Sequence, residues 1–180
     1  ETLIDKGLIQ EGTVLDLRLK YIGDKGVEYL SKCAKLVNLR ELKLERNEIT
    51  DKGIQFLAES TILTNLKYLS LERNSIGDEG VRSICLSPLF SHLTELNLWK
   101  NEVGSEGAKA IADSLVLSKL QKLDLAKNKI GDDGGKALAE SQTLTSLKYV
   151  DLFGNGISEE TQGIIKESIN FKNLQHLVLA

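Results

Sequence analysis

The chain has 180 residues, 41% of them hydrophobic and 27% charged, with a formal net charge of -3. That length fits one ordinary domain with enough Leu, Ile and Val for a core, and the mild, interleaved charge excludes the basic footprint of a nucleic-acid or anionic-membrane binder. No stretch approaches the roughly 20 apolar residues that span a bilayer, so neither nucleic acid nor a membrane is expected as a partner.

In chain order, the first unit is Leu3 to Gly7. It has the phase of Ile22 to Gly26 but precedes it by 19 residues, so part of a helix is missing and residues 1–11 read as a shortened N-terminal capping repeat. From Gly12 a strict period of 27 residues sets in, with equivalent positions at Leu39, Leu66, Leu93, Leu120, Leu147 and Leu174. A fixed period of this length signifies a solenoid. Residues 12–173 hold six repeats, and residues 174–180 begin a seventh.

Within each repeat, two leucines spaced by two, such as Leu42 and Leu44, place a strand with one apolar face. An asparagine follows: Asn47, Asn74, Asn101, Asn128 and Asn155, with Lys20 in the first copy, where the ladder is expected to fray. Ile22, Ile49, Ile76, Val103, Ile130 and Ile157 come next. Two residues later an Asp, Ser or Glu should cap the N-terminus of its own helix. The helix interior face is read from Ile54, Leu57 and Ala58 and their counterparts at i, i+3, i+4 spacing. Gly26, Gly53, Gly80, Gly107 and Gly134 sit near the helix starts at a cost of about 1 kcal/mol relative to Ala, a choice that close helix-to-strand packing would explain. Leu36, Leu63, Phe90, Leu117, Leu144 and Phe171 close each return segment, and Pro88 lies there, where it breaks no ladder. Ser60, Ser87, Ser114, Ser141 and Ser168 share a phase at helix ends and read as scaffold.

The pattern LxxLxLxxNxIxxxG with a helix filling each repeat resembles the leucine-rich repeat in its ribonuclease-inhibitor-like subtype. The resemblance implies an α/β horseshoe solenoid, a concave parallel β-sheet lined by convex α-helices, and the habit of binding a partner protein on the concave face. Sensor domains of immune receptors, GTPase-activating proteins for Ran and bacterial effectors share it. Lys20 for Asn and Thr161 for the helix Gly depart from the pattern. At the C-terminus either Val178 and Ala180 lie at an open sheet edge or the array runs on beyond them, the second being the expectation.

Cys33 and Cys85 fall two repeats apart at different phases, too far for an easy disulfide. Two free thiols favour a reducing compartment, so a cytoplasmic home is expected, with secretion as an effector the alternative. A monomer is expected unless the open edge pairs.

Residues between the strand leucines form columns on the exposed sheet face, about 4.8 Å apart. In-phase residues belong to the scaffold, so the exceptions carry the functional reading. Trp99 and Phe153 share a column with Ala126 between them, and Tyr149 is diagonal to Phe153. With Tyr68 these aromatics are the expected partner anchors, and Glu45, Glu72, Arg73, Lys100, Asp124 and Asp151 the charges that set specificity. The adjacent pairs Glu45/Glu72 and Asp124/Asp151 do not read as a catalytic dyad, because they are expected on a solvated face with Lys43, Arg46, Arg73 and Lys122 in reach for cross-strand pairing. His92 and His176 have no second ligand in zinc spacing. Gly131 to Gly135 lacks the Lys-Ser/Thr of a phosphate loop. No enzyme activity, cofactor or metal is therefore expected. The leading function is a protein-interaction scaffold; regulation of a small GTPase, or a spacer role in a larger receptor or effector, are the alternatives.

Overall fold

The computed structural model describes residues 2–171 and 174–179. Ala180, expected at the sheet edge, lies outside them.

The described residues form one eight-stranded sheet in strictly sequential order. It opens with α1 (Leu3–Gly7) and β1 (Leu8–Ile9), followed by β2 (Val14–Asp16) and α2 (Gly23–Ser31). Then β3 (Glu41–Lys43) leads to α3 (Asp51–Ala58), β4 (Tyr68–Ser70) to α4 (Asp78–Leu86), and β5 (Glu95–Asn97) to α5 (Ser105–Asp113). The last are β6 (Lys122–Asp124), α6 (Gly131–Ala139), β7 (Tyr149–Asp151), α7 (Glu159–Glu167) and β8 (His176–Val178). From β2 onward all neighbours are parallel, and Leu42 lies opposite Leu69, Leu69 opposite Leu96 and Leu96 opposite Leu123. In the first unit Leu8 and Ile9 turn back and pair antiparallel with Leu15 and Val14 on the outer edge of β2. None of the described helices is long and apolar enough to cross a membrane.

The core lies between the sheet and the helices. Leu42, Leu44, Leu69 and Leu71 from the strands meet Ile54, Leu57, Val81 and Ile84 from the helices, all fully buried, each worth about 1.5–3 kcal/mol of apolar transfer. Strands stack about 4.8 Å apart while packed helices need 8–10 Å, so the stack bends with the sheet on the inside.

Three ladders of polar side chains tie each repeat to the one before it. Asn101 Oδ1 accepts the Ile76 N–H at 3.1 Å, and its Nδ2 donates to Leu71 O and Leu98 O, each at 3.0 Å. Because each asparagine serves the preceding turn, the Lys20 turn does not fray: Asn47 Oδ1 accepts from the N–H groups of Lys20 and Ile22. Ser87 Oγ donates to Ala58 O at 2.6 Å and Ser114 Oγ to Cys85 O at 3.0 Å, so these hydroxyls close the previous helix rather than their own.

The third ladder corrects the capping expectation. Asp24, Asp51, Asp78 and Asp132 do not cap their own helices. Their carboxylates accept the N–H groups of Thr50, Gly77, Gly104 and Ser158, at the N-terminus of the next helix. The same carboxylates crowd three of the helix glycines, Gly53, Gly80 and Gly107. A Cβ on Gly80 would stand 2.6 Å from Asp51 Oδ1 in the preceding repeat and 2.9 Å from Ile76 Cγ2 in its own, while at Gly26 the crowding comes from Ile22 and at Gly134 from Ile130, Ala108 and Ser105, so the turn before each helix and the neighbouring repeat, not the strand, exclude a side chain. Pro88 opens a short 3-10 turn, Pro88–Phe90, capped by Ser87.

Candidate functional site

The turn after each strand fixes what the sheet face presents. Arg46, Arg73, Lys100 and Lys127 all adopt left-handed backbone, with φ of 54–55°, and Gly154 takes φ 69° at the same position. L-residues other than Asn and Asp avoid this region, at about 1–2 kcal/mol each. The repeated strain therefore projects four basic side chains in a row along the strand exits.

Two of them hold the tryptophan. Trp99 has the Arg73 guanidinium 4.5 Å from its ring centroid and the Lys127 ammonium at 5.4 Å, both within cation–π range. Phe153 is 43% exposed, and buried Ala126 forms the floor between the two aromatics. Tyr149 is half-buried; its ring lies 6.1 Å from that of His176, and its hydroxyl donates to Asp151 Oδ2 at 3.3 Å. Tyr68 lies under Lys43 at 5.8 Å.

The cations of this face pair differently from expectation. Across strands they reach rings: Lys43 to Tyr68, Arg73 and Lys127 to Trp99, and Lys122 to Tyr149 at 5.1 Å. Their carboxylate partners lie along the same chain segment, as in Lys43–Glu41 at 3.4 Å and Arg73–Glu72 at 3.6 Å. In a strand, residues two apart share a face and a long side chain bridges them easily. Cross-strand carboxylate pairs, the arrangement expected from the columns, are not formed here among the described residues.

The acids are consequently less solvated than an open face suggests. Asp124 Oδ1 accepts the Ala126 N–H at 3.1 Å, yet burial, reinforced by Asp151 and Glu72, pushes its pKa up to about 6. Burial also raises the Glu45 carboxyl. Among the described residues Glu45 Oε2, Ser70 Oγ and Arg73 Nε are buried without a close hydrogen-bond partner, and all three lie on this face; the Ser70 hydroxyl stands beside the Glu45 carboxyl and the Tyr68 phenol. Lys100 stands at a strand exit with φ 55°, and Asp151 Oδ1 accepts the Phe153 N–H at 2.9 Å. Lys127 and Ser70 were missed. Lys127 was legible from its column, two repeats from Arg73 with Trp99 between; the burial of Ser70 was not.

Roomier hollows lie among the helices: about 650 Å³ beside Ile164 and Ile169, and about 400 Å³ beside Leu86 and Leu115. Their walls are helix ends with few converging polar groups, so the sheet face, where charge and rings converge, is the better candidate site.

A sequential parallel sheet backed by one helix per repeat, with side-chain ladders between repeats, defines a repeat solenoid. The chain belongs to the leucine-rich repeat family, whose model matches residues 35–58, 63–85, 91–112, 116–139 and 143–160. Among solved structures it is similar to an internalin of Listeria monocytogenes, with a TM-score of 0.61 and 24% identity over 82% of this chain. It is also similar to the tropomodulin C-terminal domain of Caenorhabditis elegans, with a TM-score of 0.61 and 17% identity over 83% of this chain and 92% of that one. The chain spans 36% of the internalin's length. At these identities the likeness concerns the fold. No curated protein matches the chain.

Proposed function

We propose that this chain is a non-catalytic protein-interaction module of the ribonuclease-inhibitor-like subtype, built on 27-residue repeats, which captures a partner protein on its concave sheet face. Leucine-rich repeats generally serve as interaction modules, and the concave location is supported chiefly by one observation. Trp99 is clamped between Arg73 and Lys127 while Phe153 stands exposed across the buried Ala126. Rigid aromatic walls with charges around them are the usual composition of an interface centre. In this reading Tyr68, Trp99, Tyr149 and Phe153 anchor the partner, and Glu45, Glu72, Arg73, Lys100, Asp124 and Asp151 select it.

The antiparallel β1 supports residues 1–11 as an N-terminal cap, residues 12–173 being the repeats and 174–180 the start of another. Free Cys33 and buried, free Cys85 support a reducing, cytoplasmic compartment. The chain acts as a monomer.

Affinity capture from the native cell with wild-type, Trp99→Ala and Phe153→Ala baits tests the reading. Each variant should lose the partner while keeping its thermal midpoint; capture unchanged by both sinks the aromatic site.

A further inference from the structure

The row of cations at the strand exits lacks acids of its own. We propose that Arg73, Lys100 and Lys127, set around the Trp99 ring, receive the carboxylates of an acidic segment of the partner protein, with an apolar side chain of that segment seated over Ala126 between Trp99 and Phe153. The proposal rests on the interaction-module reading and gives the partner its chemistry.

The row is rigid. The parallel ladder runs on past the end of each strand, so that the N–H groups of Arg46, Arg73, Lys100 and Lys127 donate to the carbonyls of Glu72, Trp99, Ala126 and Phe153 at 2.7–2.9 Å. Four like charges therefore leave the backbone one strand spacing, about 4.8 Å, apart, from positions pinned in the left-handed region. Like charges side by side on neighbouring strands destabilise a sheet, and an anionic partner removes that cost. The row is bounded: the same position holds Leu19 before Arg46 and Gly154 after Lys127.

Internal counter-ions are scarce. Among the described residues the only carboxylate paired with the four side chains is Glu72, 3.6 Å from Arg73 Nε and so beyond hydrogen-bonding range. Glu45 is half-buried in the sheet face, where burial raises its pKa, and Glu102 is bound by Lys129 at 3.5 Å. Trp99 touches Arg73 and Lys127 but neutralises neither, since a ring attracts through its quadrupole and leaves N–H donors open. Lys100 lies exposed between them. The other side of the aromatic floor has the opposite sign. Asp124 and Asp151 accept the N–H groups of Ala126 and Phe153, and Asp124 and Glu95 line one small cleft. A partner carboxylate is drawn to the strand exits and repelled from the strand entries, which sets the direction in which the segment lies. Trp99 and Phe153 stand two strand spacings apart, about 10 Å, over the buried Ala126, which is room for one apolar side chain. A nucleic acid fits less well, because its phosphates spread over the whole face and meet Glu72, Asp124 and Asp151. An acidic peptide brings two or three carboxylates to where the cations stand, in charge-assisted hydrogen bonds.

The test is an NMR titration of the full chain at low salt with two acetylated pentapeptides, Glu-Glu-Leu-Glu-Glu and Gln-Gln-Leu-Gln-Gln, and separately with tripolyphosphate. The glutamate peptide should shift the backbone amides of Lys100, Ala126 and Lys127 and change the fluorescence of Trp99, the only tryptophan. The double variant Lys100→Gln with Lys127→Gln should weaken it at least about tenfold while a helix-side control, Lys25→Gln with Lys166→Gln, changes nothing; tenfold corresponds to about 1.4 kcal/mol. Equal affinity for the glutamine peptide, unchanged affinity in the double variant, or tripolyphosphate binding at the same amides more tightly than the glutamate peptide overturns the proposal. Thermal midpoints of each variant report folding independently. In cell capture, partner loss with Trp99→Ala but not with the double variant would overturn the acidic segment and leave the interaction module standing. Loss with neither would overturn both.

Discussion

Asp51 Oδ1 accepts the backbone N–H of Gly77 at 2.6 Å, joining the start of one helix to the start of the next. Asp78 extends the device by accepting from both Gly104 and Gly107 N–H, at 2.7 and 2.9 Å. Each carboxylate also lies at the positive end of the helix dipole it caps. Local helix chemistry has become coupling between repeats, the term that makes a solenoid cooperative.

Replacing Asp51 by Ala should therefore cost about 1–2 kcal/mol, the range for a lost helix cap. Urea denaturation followed by circular dichroism measures it. Asp113→Ala, at an exposed helix end, is the control and should stay within about 0.5 kcal/mol.

Two glycine substitutions should move stability in opposite directions. Gly80→Ala drives a methyl into Asp51 and Ile76 and should cost about 1–3 kcal/mol. Gly163 lies inside α7 with nothing near its would-be Cβ, so Gly163→Ala should gain roughly 0.5–1 kcal/mol. Paired thermal melts decide the matter, and equal signs would contradict the crowding argument.

Asp124 predicts a pH signature on stability. Its folded-state pKa, about 6, stands above the ordinary carboxylate value, so the folded chain binds this proton more tightly than the unfolded chain. The contribution is favourable at low pH and is lost as pH rises from about 4 through 6. Burial is the main cause; Asp151 and Glu72 add to it and Lys122 opposes it, while Glu95 faces the same cleft. Asp124→Asn should be more stable than wild type at pH 7.5, with the gap closing by pH 4. A gap that is absent, or that grows on acidification, would refute the assignment.

The two thiols should differ in reactivity. Burial pushes Cys85 up to about 12, and the thiolate is the reactive form. Brief iodoacetamide treatment of the native chain at pH 8 should leave a single adduct, on the partly exposed Cys33, as read by peptide mass spectrometry.

The repeat geometry was legible because identical spacing forces identical stacking. The leucine pairs, the asparagine turn and the helix face of Ile54 and Leu57 all recur in phase, and a recurring local pattern leaves each repeat only its neighbours to pack against. Legibility failed where one residue serves another repeat. Asp51 has the spacing of an ordinary cap, and nothing local says that it reaches Gly77. The antiparallel turn at Leu8 and Ile9 was hidden for the same reason, since the partner edge of β2 exists only once the sheet is built.

By itself, then, the sequence determined the solenoid, its strand register and the short set of residues that break the repetition on the sheet face. Only the tertiary structure decided how those residues divide the charge. Backbone held left-handed at Arg73 and Lys127 turns both onto Trp99, and Lys122 goes to Tyr149. The carboxylates of Glu45 and Asp124 are both raised above their ordinary pKa by burial. Periodicity specifies which residues share a surface; the distances between side chains specify which of them neutralise one another and which remain open to a partner.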